Sequence, residues 1–428
     1  MIRKERSKGS GFNKIKNMKI LLISSYLPYP LFSGGQIRLY NLLKELSRNH
    51  SVTLICEKRE NQTDADIKEI EKICKKVITV NRRKQWSLQN ILKAMTSQHS
   101  FLITGHTHEE MKRKIKEELG KNQFDLIHVE TFYVMQNLPL KSRITTPPLL
   151  KGARGILPIV LVEHNIEYQV YSRFVKNAHF LLRPFLAIDV AKIKREEEYF
   201  WKKASRLIAV SNEDKEVMRL AGAEAEVVAN GVDTDKFSYK NVQKAITQKE
   251  KKILFIGDFK WIQNRDTLSW IIRDIWPLIK KGVHKNIKLW IVGREIPDSI
   301  KSLTNDPDII FDQKSSSHPA EQIFHEAYAL LAPIRVGGGT SYKILEALSA
   351  GTPVIITPLS AQSLGLRDSE EALIGQNAKE LADQTLLLLQ DSNLYEKISK
   401  NGRALIEKNH TWKNIAGKLE EVYKDTVS

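Results

Sequence analysis

The stretch IRVGGGTSYKILEALSAGTPVI, Ile334 to Ile355, follows the apolar run AYALLAP (327–333) and reads as strand, loop, helix, turn and strand. Gly337, Gly338 and Gly339 can take backbone angles closed to other residues, and Thr340 or Gly339 is placed to cap the helix that follows. Gly351 ends that helix, and Pro353 stops any continuation. At about 100° per residue, Ile344, Leu345 and Leu348 form one apolar face. Lys343, Glu346, Ala347 and Ala350 fall on the opposite face, which the small residues are expected to leave open. A glycine loop feeding a helix start lets backbone N–H groups converge on an anion, and the helix dipole adds favourable potential there. A phosphate is the expected guest; a tight connection with no ligand is the alternative. No Gly-Lys-Ser/Thr follows, so the loop is not of the Walker type.

Outward from this unit, β-rich runs alternate with helical ones from Met18 onward, the signature of parallel sheets wound by helices. MKILLISS (18–25) opens a first series that continues through SVTLICE, FDLIHVE, PIVLVEH and RLIAVS. The helix after its first strand sets Leu39, Leu42, Leu43 and Leu46 on one side. KKILFIG opens a second series at Lys251, followed by a helix around 266–279 and then IKLWIVG, DIIFD, AYALLAP and PVIIT. The expected fold class is α/β, with two doubly wound Rossmann-like domains over 18–240 and 241–411. Polar residues dominate the join at 230–252, a basic tail occupies 1–17, and a terminal helix over 412–428 is expected to reach back to the first domain.

No apolar run approaches the roughly 20 residues that would span a bilayer. The first 17 residues, MIRKERSKGSGFNKIKN, lack the apolar centre of a signal peptide, so a cytoplasmic protein is expected. Cys56 and Cys74, in strand and helix contexts without metal-ligand spacing, fit two buried thiols in a reducing compartment. The net charge of +17 is unevenly placed: residues 1–250 hold 44 Lys and Arg against 28 Asp and Glu, and residues 251–428 hold 23 against 22. A basic first half suggests an anionic partner there, such as the inner membrane surface or a phosphorylated acceptor. A solvated surface is the alternative. No recognisable nucleic-acid motif accompanies the charge, so nucleic acid is not expected as a partner.

Six motifs in order, SGGQIRLYNLLKEL, VEHNIEY, AVSNED, NGVDTDKF, FIGDFKWIQNRDTL and GGGTSYKILEALSAGTPVI, carry a resemblance to the retaining GT-B glycosyltransferases of family 4, from Met18 to Tyr423. That resemblance implies two domains facing across a cleft, a nucleotide sugar in the second and a glycan or lipid-linked acceptor in the first. It places Glu346 on the ribose hydroxyls, Gly338 to Ser341 on the diphosphate, and Gly34 and Gly35 where backbone approaches the donor across the cleft. His164, at a strand end, would face the reacting sugar. Relatives often carry a glutamate eight residues before the ribose-binding one, where Gly338 stands here, and phosphate-binding Arg and Lys where Asp258 and Gln263 stand. GDFKWIQN instead resembles a subgroup with a tryptophan and an asparagine in this loop. Lys260, Arg265, Arg335 and Lys343 are the candidate replacement cations, with Lys343 and Arg335 grouped with His164 as catalytic.

Retention in this family is held to need no protein nucleophile, the leaving phosphate taking the acceptor's proton. No Asp-x-Asp stands at a strand end, so neither metal nor cofactor is expected. The expected activity is sugar transfer to a cell-envelope, polysaccharide or lipid-linked acceptor. A catalytically inactive binding or scaffold subunit and a sugar-nucleotide epimerase of the same fold are the alternatives.

Overall fold

The computed structural model describes residues 17–83, 88–139, 151–152, 155–176, 179–283, 286–335 and 341–428. Two parallel sheets organise the chain. The first holds β1 (Lys19–Ser24), β2 (Ser51–Lys58), β3 (Lys76–Asn81), β4 (Leu126–Glu130), β5 (Ile159–Val162), β6 (Arg206–Ala209) and β7 (Ala225–Val227) in the order 3-2-1-4-5-6-7. The second holds β8 (Lys251–Ile256), β9 (Ile287–Val292), β10 (Ile309–Asp312), β11 (Ala329–Ala332), β12 (Val354–Ile356) and β13 (Leu373–Ile374) in the order 10-9-8-11-12-13. Each order reverses beside its first strand, which makes both sheets doubly wound and opens a crevice at the strand ends there.

Helices cover both faces of each sheet, so the central strands read as continuous apolar runs. Leu21 and Ile23 of β1 join one core with Ile127, Val129 and Leu161. Ile20 and Leu22 point the other way, into a core with Val160, Ile208 and the leucines of helix Gly34–Leu46. The second sheet repeats the division, with Ile253 and Phe255 on one face and Leu254 on the other. Three strands escape the apolar pattern: KVITVN at β3 and AEV at β7 are edge strands with part-exposed positions, and β13 is two residues long.

The terminal helix Trp412–Val427 belongs to the first domain's core. Trp412, Ile415, Leu419 and Tyr423 bury against Leu39, Leu42 and Leu43. The chain crosses between domains twice, side by side, where the Val232 N–H donates to the His410 carbonyl at 2.8 Å and Val232 bridges Thr411. A Cβ on Gly231 would lie 2.8 Å from the Trp412 ring, so only glycine fits that crossing. The fully buried guanidinium of Arg38 fastens helix Gly34–Leu46 to the same connection, donating to the carbonyls of Val228 and Ala229 and to the Asn230 side chain. Val232 and Phe237 already lie in the second domain's core, ahead of the 240/241 boundary read from the sequence.

One expected helix is present and runs longer at both ends, and one cysteine lies outside its expected helix. The helix placed around 266–279 begins at Ile262 and continues through a widened turn at Ile271–Ile275 to Gly282. Cys74 sits just beyond helix Asp64–Glu71 rather than within it, and both cysteines are buried. Except for Asn17, the basic tail lies outside the described residues. Among the described residues no helix is long and apolar enough to cross a membrane.

Candidate active site

The first domain's side of the cleft grows from strand ends. Glu130 ends β4 and is fully buried. One of its oxygens meets Nε2 of His164 and the other meets Nε2 of His128 at 2.8 Å. His128 passes the contact on through Nδ1 to the Tyr423 hydroxyl of the terminal helix. Burial acts to raise the Glu130 pKa, but the facing His164 and His128 outweigh it and hold the carboxyl well below its usual range. The result is an oriented, partly exposed His164 ring, with the Tyr26 hydroxyl 3.5 Å from its Nε2. Glu163 is turned inward, accepting from the Trp201 indole N–H at 3.2 Å. Burial and the nearby carboxylates of Glu197 and Glu167 raise its pKa well above normal.

Gly34 and Gly35 open helix Gly34–Leu46, where the Ser33 side chain caps by accepting from the Gln36 N–H. A Cβ on Gly34 would lie 2.9 Å from the Tyr342 ring, and one on Gly35 would lie 2.9 Å from the Tyr26 hydroxyl. The two glycines therefore admit two tyrosines, one from each domain. The Tyr342 hydroxyl donates to the Gly34 carbonyl at 3.1 Å and ties the domains together across the cleft.

On the opposite side, the glycine-loop helix spans Tyr342–Ser349. Its cap position is Ser341, beyond the Thr340 or Gly339 expected, and Gly337, Gly338, Gly339 and Thr340 lie outside the described residues. Gly351 terminates it at φ +71°. A Cβ there would fall 2.4 Å from the Tyr239 ring. The helix face expected to be open is half closed: Ala347 and Ala350 are fully buried, their small side chains accepting close neighbours. Helix Ser392–Asn409 packs over the end of this segment, with Arg403 donating to the carbonyls of Ser349 and Phe237.

Lys343 and Glu346 remain, one helical turn apart and half-buried. The Lys343 ammonium donates to Asn264 Oδ1 at 2.9 Å and lies 4.8 Å from the Phe255 ring centre. Burial lowers its pKa to about 8 against the opposing pull of Glu346. Burial likewise raises Glu346 to about 7, opposed by Lys236 and Lys343. Among the described residues no hydrogen-bond donor reaches the Glu346 carboxylate, and Lys343 is held by Asn264. A half-buried carboxylate that no described donor reaches is poised to accept hydroxyls from a ligand.

The other candidate cations are not gathered here. Lys260 pairs with Glu295 at 3.1 Å on the surface. Arg335 grips Asp266 at 2.9 and 3.0 Å and stacks 4.5 Å from the Trp270 ring centre. Arg265 is partly buried in helix Ile262–Trp270, its Nε without a hydrogen-bond partner among the described residues. A cavity of about 440 Å³ lies between the domains, with Asn165, Gln169 and Arg173 on one side and Gln263, Asn264, Ser341 and Lys343 on the other. None of Lys260, Arg265 and Arg335 lines it. Of the cavity residues, Asn264 had a sequence signal in the GDFKWIQN loop. Gln169 and Arg173 had none, because a helix surface facing a cleft has the polar composition of one facing solvent.

Comparison with known proteins matches residues 32–236 to the family described as Glycosyltransferase Family 4 and residues 250–391 to Glycosyl transferases group 1. The chain is 22% identical over 407 residues, 93% of its length and 97% of the other's, to an uncharacterized 44.6 kDa protein in the cps region of Klebsiella pneumoniae. It is 24% identical over 321 residues to a phosphatidyl-myo-inositol mannosyltransferase of Mycobacterium tuberculosis, covering 73% of this chain and 76% of that one. Its fold is similar to that of Anabaena HepE, solved in complex with UDP and glucose, with a TM-score of 0.61 at 15% identity over 96% of this chain and 100% of that one.

Proposed function

We propose, for a chain that belongs to the group 1 glycosyltransferases and has their GT-B fold, that it moves a sugar with retention from a nucleotide sugar to a lipid-linked or polysaccharide acceptor of the cell envelope. The observation that carries the donor half of this reading is the pair on helix Tyr342–Ser349: a Glu346 carboxylate that no donor among the described residues reaches, and one turn away the Lys343 ammonium at the cavity wall. A diol of the ribose would donate to the carboxylate, and the diphosphate would lie against Lys343 and the start of the helix. The uridine diphosphate held by HepE supports a nucleotide sugar as donor class. The relatives in the cps region and acting on phosphatidyl-myo-inositol support an envelope acceptor.

In this reading the leaving diphosphate removes the acceptor's proton while the acceptor attacks the same face of the sugar. The protein's task is then to stabilise charge growing on the diphosphate, which a fixed cation in a cleft does without reorganising. Lys343 takes that role, and His164, held by Glu130, orients the sugar. We assign no metal to the step, since cations can serve the diphosphate. Incubating the protein with a panel of nucleotide sugars, with and without envelope extract and chelator, tests the whole reading. Nucleotide release that needs acceptor and survives chelator supports it. Isomerisation without acceptor would make the protein an epimerase, and binding without turnover a scaffold.

A further inference from the structure

Helices Glu167–Lys176 and Arg183–Trp201 pack together beyond β5 and end in a tip that buries little. Phe174, Phe180, Leu181, Leu182, Phe185 and Ile188 are each more than half exposed. Six large apolar side chains within fifteen residues form a patch, not the scattered exposure normal for a soluble surface. From Ser172 to Ile188 the chain carries Arg173, Lys176 and Arg183 and no Asp or Glu. Apolar side chains in a stretch whose charged residues are all basic, with the next acidic residue, Asp189, accepting from the Phe101 N–H, match one environment above others: the headgroup zone of an anionic leaflet, where the charges meet phosphates and the rings enter the acyl boundary.

The tip is continuous with the cleft. Ile166, Gln169, Val170 and Arg173 line the cavity wall at helical spacing, and Phe174, four residues after Val170, extends the same stripe to the surface. A second copy of the chain is the poorer occupant. A twofold contact sets a patch against itself, so the basic residues would face one another with no acidic residue in the segment to receive them.

We propose that this tip, formed by Phe174 and by Phe180 to Ile188, docks in the surface of an anionic lipid leaflet and holds the mouth of the cleft at headgroup level. The docking deepens the reading of a lipid-linked acceptor given above, because an acceptor anchored in the leaflet would then meet the cavity without leaving its membrane.

The test is sedimentation of the full chain with vesicles of phosphatidylcholine alone and of phosphatidylcholine mixed with phosphatidylglycerol. Binding is expected to the mixed vesicles only, to fall as salt rises, and to weaken at least about tenfold in a triple variant Phe180→Ser, Leu181→Ser, Phe185→Ser. These side chains are exposed and do not line the cavity, so circular dichroism and calorimetric donor binding should be unchanged. Equal binding to both vesicle types, or a triple variant that binds like the parent chain, overturns the proposal. So does a parent dimer that the triple variant dissolves, or binding lost on deleting residues 1–17 but kept in the triple variant. Loss of donor binding with vesicle docking intact would remove the transferase reading and leave the docking surface standing.

Discussion

Tyr342 and Gly34 face each other across the cleft, the tyrosine hydroxyl donating to the glycine carbonyl at 3.1 Å with its ring against the space a Cβ would need. The contact joins the first residue of one glycine-led helix to the first residue of another. In the proposed transfer donor and acceptor share the cleft, so a contact that favours the closed arrangement would also favour donor capture. Removing only the hydroxyl, in Tyr342→Phe, keeps the ring packing and deletes the hydrogen bond. Its net worth of about 0.5–1.5 kcal/mol should weaken donor binding roughly 2–10-fold while leaving the melting temperature almost unchanged. Isothermal titration with nucleotide sugar checks it; an unchanged Kd would mean that the contact plays no part in closure.

Glu346 offers a sharper measurement. Glu346→Ala should weaken nucleotide-sugar binding roughly 10–100-fold, the loss of about 1.5–3 kcal/mol in hydrogen bonds to a charged group. A folded variant with unchanged donor affinity would sink the ribose assignment.

The pH dependence of donor binding follows from the same pair. Burial raises Glu346 to about 7 and lowers Lys343 to about 8. The carboxylate accepts hydroxyls best when ionised, so affinity should rise as pH increases through about 7; Lys343 attracts the diphosphate only when protonated, so affinity should fall above about 8. The stability effects have a fixed sign too. Glu346, raised in the folded state, contributes stability below its ordinary value that is lost as pH climbs through about 7. Donor affinity measured across this range should be bell-shaped in the parent chain, with Kd lowest between about 7 and 8, and Glu346→Gln should lose the acidic limb alone. A flat parent profile would show that neither group meets the donor.

Replacing Lys343 by methionine keeps a long apolar stem and removes the charge. If the ammonium stabilises the leaving diphosphate, turnover should fall about 100-fold or more, with a smaller change in donor affinity. Arg335→Met should have little effect, since Arg335 is committed to Asp266 and the Trp270 ring away from the cavity. The reverse ranking would return Arg335 to the site.

Which parts of this site could be read from the sequence follows from what periodicity encodes. The strands of both sheet centres were legible because a strand buried on both faces must be largely apolar, as KILLIS and KKILFI are; β3 and β7, at a sheet edge, need no such run. Lys343 and Glu346 were legible because they break an apolar helix beside a glycine loop. Ala347 and Ala350 misled, since small residues suit an open face and a closely packed one equally. The ion pairs that take Lys260 and Arg335 out of the cleft depend on Glu295 and Asp266, 35 and 69 residues away, and no local pattern announces them. The chain of contacts from Tyr423 to His128 to Glu130 to His164 spans nearly 300 residues and is visible only in the fold.

That chain supports a final prediction about Glu130. Its carboxylate is fully buried and faces two imidazoles, so Glu130→Gln keeps the shape but replaces one acceptor oxygen with a donor amide and removes the charge. Hydrogen bonds to a charged group are worth about 1.5–3 kcal/mol, so the variant should melt roughly 3–12 °C lower near neutral pH. The sign with pH is set by the depressed pKa of the parent carboxyl: its stabilisation is complete above the ordinary value of 4.5 and is lost as pH falls below it. The gap in melting temperature between parent and variant should therefore hold steady above about pH 5 and shrink below it. Turnover should fall through the loosened His164 ring, while donor affinity, which rests on the other domain, stays as in the parent chain. A gap that does not narrow in acid would mean that the charge of Glu130 does not carry the effect, and weakened donor binding with unchanged turnover would take His164 out of the reaction.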